Sequence, residues 1–400
     1  MNIPRRGFVE LAGAALAAAV PAWGCRPRES SGVRIVRVSR YYLEFPRWKH
    51  VGKNARLEDH GLSAKDSLVR IETDSGVEGW GQSRASEAEA RRLLRRDPLS
   101  FYDVAQGIRS PLQRNDAPLW DLVGKLLKQP AWRLLGAQGP EWVAAYDSSF
   151  YFSDLDPEFS NRGVARIVEE VEYSLAQGHR AFKLKVGRGF RWMEREAGLR
   201  RDIEVVRAVR QAVGPGVRLM ADANDGYDPA TTRRFLEQVG ETLFWIEEPF
   251  PERVAQDLEL KAWIRGRGQH TLLADGESVG DPARYRPYIR SKALDVLQGN
   301  VLGFGLQRLR ELSRLTAPAG ISLAPNNWES FFGFYLEAIL GRAVPNLLMA
   351  EQDPCSSDAV DVSGFELKDG HVRAPDTPGC GWTVRMDVLA RKATLRWQVQ

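Results

Sequence analysis

The chain has 400 residues, 43% hydrophobic and 27% charged, which is the make-up of a folded protein and excludes a wholly disordered or collagen-like chain. Its 56 basic and 52 acidic side chains leave +4, too little over this length to argue for nucleic acid or an anionic membrane as partner. Length alone suggests roughly two or three domains with a core that needs no disulfide staples.

The N-terminus reads as a targeting segment. Arg5 and Arg6 precede Phe8 and Val9, a small apolar run follows over 11–20, and Pro21, Ala22, Trp23, Gly24 and Cys25 close it. A charged start, an apolar stretch and a small-residue exit describe a secretory signal, and paired arginines describe the twin-arginine route. Residues 1–25 are therefore expected to be removed from an exported, periplasmic protein, which lowers the charge from +4 to +3. The competing reading is a short amphipathic or buried first helix. Cys25 is a candidate lipid anchor, although Ala22 and Trp23 make a poor lipidation motif. No other apolar stretch reaches the ~18 residues of a membrane span. Cys355 and Cys380 then remain; they could pair in an oxidising compartment, and two cysteines fit no metal-site spacing.

Residues 33–43 are rich in β-branched and aromatic side chains and predict a strand. The apolar face switches between Ile35 and Val36, which predicts a bulge. A strand over 67–73, a turn at Asp74-Ser75-Gly76 and a strand through Val77 and Trp80 predict a hairpin. Between them, 45–63 reads as a polar loop carrying Lys49, His50, Lys53 and His60. Residues 84–138 read as helical with short interruptions. The front section, 31–140, is thus an α+β unit.

From about residue 142 the texture changes. Apolar runs at 142–146, 181–186, 218–223, 243–248, 271–274, 294–297, 321–324 and 346–350 alternate with helical periodicities such as Ile203, Val206, Val209 and Val213. Eight β/α units within 141–360 fit a parallel barrel better than an open sheet. Residues 361–400 lose the pattern and are expected to return to the front unit as extra strands.

In a barrel, catalytic groups sit at the C-terminal ends of strands. The second strand ends in Phe182-Lys183-Leu184-Lys185. Only 11 of the 56 basic residues are lysine, so two in one strand stand out. Both point to the same face, and mutual repulsion with desolvation is expected to lower their pKa toward that of a general base. The third, fourth and fifth strands end in Asp222-Ala223-Asn224, Glu247-Glu248-Pro249 and Asp275-Gly276-Glu277. Three carboxylates converging without a cation would repel one another. A hard divalent cation with oxygen ligands resolves this.

This series resembles the mandelate racemase group of the enolase superfamily, over nearly all of residues 31–400. The front hairpin 70–81 is similar to that family's capping domain. The resemblance implies a (β/α)7β TIM-like barrel closed by an N-terminal α+β capping domain. It also implies one Mg2+ stabilising an enediolate formed by removing the proton α to a carboxylate. Asp222, Glu247 and Glu277 match the three metal ligands, with Glu248 the fallback for Glu247. Asp275 would replace Glu277 if the site followed the related muconate lactonizing pattern. Lys185 matches the base, and Lys183 the neighbour that depresses its pKa. Asn224 matches a position contacting metal-bound substrate, and Glu351 the acid that hydrogen-bonds the developing oxyanion.

Two positions depart from that group. Its seventh strand usually ends with a catalytic histidine and its sixth with an aspartate that orients it; here Asn326 and Asn300 stand there. Neither amide titrates, so these substrate-facing positions offer no second base. Racemisation by opposed bases is disfavoured, and one-base β-elimination remains. The expectation is an exported Mg2+-dependent acid-sugar dehydratase acting on a small carboxylate substrate, as a homo-oligomer with no nucleic acid and no membrane span. The alternatives are a non-catalytic binding protein that kept the metal cup, or an epimerase or racemase whose missing base comes from His50, His60 or Lys53 on the cap loop.

Overall fold

The computed structural model describes residues 31–112 and 114–400. The expected signal segment, with Arg5, Arg6 and Cys25, lies outside the described residues.

Eight parallel strands form the barrel: Val143–Phe150, Ala181–Lys185, Arg218–Asp222, Trp245–Glu247, Leu272–Asp275, Val296–Leu297, Ser322–Leu323 and Ala350–Gln352. Each pairs with the next from the first to the seventh, and the eighth returns to the first. A bridge between Leu323 and Leu347 closes the ring. A helix follows each of the first seven strands and none directly follows the eighth, whose chain runs on into the short strands of the tail, which is a (β/α)7β barrel. The helices follow ordinary start rules. In Pro229–Val239, Asp228 accepts from the Thr231 N–H, proline opens the first turn, and Phe235, Leu236 and Val239 are buried. The sequence places several strands early. Leu243, Leu294 and Ile321 are buried, but they pack in the approach to the strand rather than in the ladder. Apolarity reports burial, not pairing.

The cap is a four-stranded antiparallel sheet in the order Thr394–Val399, Ile35–Val51, Gly61–Thr73, Glu78–Gln82. The register shifts between Ile35 and Arg37, at the bulge position. The expected polar loop over 45–63 is corrected: most of it is strand, and only 52–60 connects the two long arms. Burial alternates through Leu43, Phe45, Arg47, Lys49 and Val51. Arg47 and Lys49 sit on the inward face, where Asp353 and Glu170 neutralise them. Charged letters at core positions made a strand look like a loop.

The helical expectation over 84–138 holds only for Glu87–Arg91, Ala117–Leu126 and Ala131–Leu135, with the strand pair Tyr102–Asp103 and Gly107–Ile108 between them. The tail divides. Thr394–Val399 joins the cap, while His371–Arg373 adds to the first barrel strand. One buried apolar cluster runs from Ile35 to Val399, so cap and barrel share a core. Among the described residues no helix is long and apolar enough to cross a membrane.

Candidate active site

Side chains alternate in and out along each barrel strand. Tyr146, Ala181, Met220, Trp245, Ala274, Val296, Ala324 and Met349 pack as one buried apolar layer on the axis. Two residues further along the same strands come Ser148, Lys183, Asp222, Glu247, Gln298, Asn326 and Glu351. The polar layer therefore rests directly on the apolar one, at the C-terminal mouth. On the fifth strand that place falls to Gly276, whose φ of +114° swings the next residue, Glu277, toward the same layer. A side chain on Gly276 would put Cβ 2.9 Å from the Tyr285 ring.

Lys183 is the electrostatic hub. Its Nζ lies 2.5 Å from Glu247 Oε1, 2.9 Å from Glu351 Oε1 and 3.5 Å from Asp222 Oδ2. Burial alone would lower this ammonium, but Glu247, Glu351 and Asp222 outweigh it and hold it well above its ordinary value. The expected depression of Lys183 is thus corrected: two lysines face three carboxylates, so attraction exceeds repulsion. Lys185 donates from Nζ to Asp222 Oδ2 and lies 5.1 Å from the Tyr151 ring centre. Burial opposes ionisation of Asp222, yet Lys185 and Lys183 pull its carboxyl below the usual range. Burial, resisted by Lys183 and reinforced by Asp222, raises Glu247 to about 8. Burial and the Asp222 charge raise Glu277 to about 7.

The donor set suits a hard cation. Asp222, Glu247 and Glu277 reach the mouth from three neighbouring strands, and two ammonium groups already stand on Asp222 and Glu247 as stand-in cations. Beside them, the buried Asn224 Oδ1 has no hydrogen-bond donor. Its Nδ2 donates to Glu248 Oε2 at 3.2 Å. The two fallback positions lie elsewhere. Glu248 and Asp275 meet Glu252, with one oxygen of each within 4.8 Å of the others, in a second acidic group that could also hold an ion. Asp275 follows the inward Ala274 and so faces outward; burial and Glu248 push its carboxyl up. Parity thus separates Glu247 and Glu277 from Glu248 and Asp275.

The two amides form a relay. Asn300 Nδ2 donates to Asn326 Oδ1 at 2.7 Å, and Asn326 Nδ2 donates to Glu277 Oε2 at 2.6 Å. Asn300 Oδ1 accepts from Gly303 N at 2.9 Å, capping the helix Val301–Thr316. Helix, amides and carboxylate are locked together, with no titrating group in the chain between them. Glu351 Oε2 accepts from Asn327 N at 2.8 Å, and its Oε1 lies 2.9 Å from Lys183 Nζ.

The cap and the barrel loops contribute residues that the sequence reading did not assign. Arg47 forms a two-pronged pair with Asp353, at 2.7 and 2.6 Å, with both side chains fully buried. Tyr151, just past the first strand, stacks on Trp328 with ring centres 4.8 Å apart. Arg188 binds Asp154 and Asp202, and its Nη1 donates to the Lys185 carbonyl at 3.3 Å, fixing the end of the lysine strand. Alternation with Phe45 was the available signal for Arg47; none pointed to Arg188. The cap loop closes on the barrel through Phe152 N to the Lys53 carbonyl at 2.9 Å and Arg56 Nε to the Asn224 carbonyl at 2.7 Å. Cys355 and Cys380 are both unpaired, so the disulfide entertained from sequence is not formed.

Known proteins resemble this chain in sequence and fold. The sequence model described as Enolase C-terminal domain-like matches residues 166–388. D-galactarolactone cycloisomerase of Agrobacterium fabrum is 27% identical over 358 residues, covering 80% of this chain and 89% of the relative. The crystal structure of galacturonate dehydratase from a Geobacillus species, complexed with D-galacturonate and 5-keto-4-deoxy-D-galacturonate, superposes with TM-score 0.84 at 31% identity, covering 92% of this chain and all (100%) of that one. A mandelate racemase/muconate lactonizing protein from Geobacillus sp. Y412MC10, complexed with magnesium and tartrate, gives TM-score 0.84 at 31% identity and covers 90% and 95%.

Proposed function

We propose that this chain, which belongs to the Enolase C-terminal domain-like family, is a Mg2+-dependent acid-sugar dehydratase in which Lys185 removes the proton α to the substrate carboxylate. The observation that carries the reading is the polar layer: Asp222, Glu247 and Glu277 stand at the ends of three neighbouring strands beside the lysine pair, while the sixth and seventh strands supply only amides. Asp222, Glu247 and Glu277 would hold the ion, with the Asn224 carbonyl oxygen beside it. Bound there, Mg2+ supplies positive charge next to the substrate carboxylate and makes the adjacent C–H more acidic. Lys185 takes the proton at its Nζ, which Asp222 positions. Lys183, held protonated, keeps Glu247 and Glu351 in place. Asn326 and Asn300 orient Glu277 and present amide donors to substrate hydroxyls, and neither can accept a proton on the opposite face. Dehydration therefore fits better than two-base racemisation.

The relatives support the substrate class, since one is named for galacturonate and another for galactarolactone. The test is turnover of a panel of uronic, aldonic and aldaric acids, read as keto-deoxy acid formed. Activity that requires Mg2+ and is lost in Asp222→Asn supports the reading; activity untouched by Asp222→Asn contradicts the site. Tight Mg2+-dependent binding without turnover would favour a binding protein.

The proposal extends to location and assembly. Arg5, Arg6 and the apolar run support export to the periplasm, with Cys25 as a candidate anchor, and the reading includes a homo-oligomer that binds no nucleic acid. Mass spectrometry of native protein should find a chain beginning near residue 25; a chain retaining Met1 in the cytosol contradicts export.

A further inference from the structure

The end of the eighth strand is laddered on one side only. Ala350, Glu351 and Gln352 pair with Ala145, Tyr146 and Asp147 of the first strand. On the other side the seventh strand ends at Leu323, and its bridge to Leu347 lies four residues before Glu351. A buried strand edge has to find its hydrogen bonds elsewhere. We propose that Glu337 and Asn327 close this seam with their side chains, which makes Glu337 a positioning residue for Glu351; this rests on the dehydratase reading, in which Glu351 meets the developing oxyanion.

The contacts are specific to one residue. Glu337 Oε2 accepts from the Glu351 N–H at 2.6 Å, and Asn327 Nδ2 donates to the Glu351 carbonyl at 3.1 Å. Side chains thus hold both backbone groups of Glu351, beside a neighbour that has left the ladder. The Glu351 carboxylate is held as well, by the Asn327 N–H at 2.8 Å on Oε2 and by Lys183 Nζ, 2.9 Å from Oε1. Backbone and side chain of Glu351 are therefore fixed together.

The helix Phe331–Ala343 is shaped to reach the seam. Ser330 caps it, accepting from Gly333 N at 3.2 Å. Gly333 and Glu337 are four residues apart, so they share a helix face. A side chain on Gly333 would put Cβ 1.8 Å from Asn327 Oδ1. Glycine there lets the helix lie against Asn327, and Glu337 follows one turn later. Glu337 is fully buried, on a helix whose Phe332, Leu336, Ile339 and Leu340 are buried too. A carboxyl in such a place is costly unless it is hydrogen-bonded, and the bond it makes is the one to Glu351. Burial pushes the Glu337 carboxyl well up, and the charge of Glu351 adds to this. It therefore enters the seam as a neutral acid that accepts an N–H without placing a second charge beside Glu351.

The consequence falls on rate rather than on binding. Without an acceptor at 337 the Glu351 N–H is unpaired, and the strand end shifts to satisfy it. A displacement of about 1 Å at a group that meets the reacting oxygen costs up to about 10²-fold. Among the described residues Glu337 makes no hydrogen bond to Asp222, Glu247 or Glu277, so opening the seam leaves the metal carboxylates where they are.

The experiment compares full-length Glu337→Leu, which removes the acceptor, with Glu337→Gln, which keeps it. Amide hydrogen exchange, read by mass spectrometry on overlapping peptides across 345–353, reports the clamp without any turnover. In Glu337→Leu the Glu351 amide should lose about tenfold in protection. With Mg2+ and D-galacturonate, or whichever panel acid the wild type dehydrates, kcat should fall about 10 to 100-fold, while KM and Mg2+ affinity stay within about threefold. Glu337→Gln should match wild type within about threefold throughout. Unchanged protection at Glu351 in Glu337→Leu overturns the assignment, as does a kcat within threefold of wild type. Glu337→Gln as impaired as Glu337→Leu also overturns it, because the acceptor is then not what matters. A merely structural role would lower protection across the barrel and worsen kcat, KM and Mg2+ affinity together, and that result overturns it too. If Glu337→Leu does not fold, Asn327→Ala opens the other half of the clamp; it should show the same local loss of protection and the same fall in kcat, and normal values there refute the inference. A wild type that dehydrates no panel acid refutes the dehydratase reading, and the exchange data then judge the clamp by itself.

Discussion

Replacing Arg47 by methionine tests how the cap is held to the barrel. The guanidinium fork and Asp353 are both fully buried, and Arg47 also serves the carbonyls of His60 and Ser63 at 3.2 and 3.0 Å. Methionine fills similar volume but leaves Asp353 as a buried, unpaired charge, which costs about 3–5 kcal/mol. Two orphaned carbonyls add about 1 kcal/mol each where water cannot reach them. The expected loss is about 5–7 kcal/mol, read from urea unfolding by tryptophan fluorescence. Asp353→Asn in the same background removes the uncompensated charge, so the double variant should be more stable than Arg47→Met alone. A loss below about 1 kcal/mol, the worth of an exposed pair, would refute the reasoning, as would a double variant no better than the single.

Mg2+ affinity should climb from pH 6 to 8, because Glu247 and Glu277 titrate near 8 and 7 and must shed protons to bind a cation; calorimetry in two buffers should show proton release. The sign for stability is opposite in metal-free protein. A carboxyl whose pKa is raised by folding stabilises in its protonated form, so stability should fall as pH rises through 8, and Mg2+ should restore it. Gly276→Ala forces a side chain into φ +114° against Tyr285, and should cost about 1–3 kcal/mol and weaken Mg2+ binding measured by titration. Asn326→His with Asn300→Asp should add α-proton exchange on the face opposite Lys185, visible by NMR as deuterium entering the other epimer.

Much of the barrel was legible because each strand end carries a distinct residue class against an apolar background. Lys183 and Lys185 stood out in a lysine-poor chain, and one β/α unit separates each acidic strand end from the next. Period-two alternation then explains why Glu247 and Glu277 share a layer while Glu248 and Asp275 do not. Gly276 was needed to see this, since its left-handed turn changes the parity. The cap arm was misread because Arg47 and Lys49 are polar residues at core positions, and their partners, Asp353 and Glu170, are 306 and 121 residues away. The Lys183 environment was likewise a three-dimensional sum: the strand-end carboxylates were visible in sequence, but not that Glu247, Glu351 and Asp222 all come within 3.5 Å of the Lys183 amine and outweigh Lys185.

The central claim is that Lys185 alone moves the α proton. Incubating wild type and Lys185→Ala with Mg2+ and a dehydrated panel acid in D2O measures it directly. The account predicts exchange of a single epimer by wild type and loss of exchange and dehydration together in Lys185→Ala. Exchange of both epimers, or exchange that survives in Lys185→Ala, would contradict it.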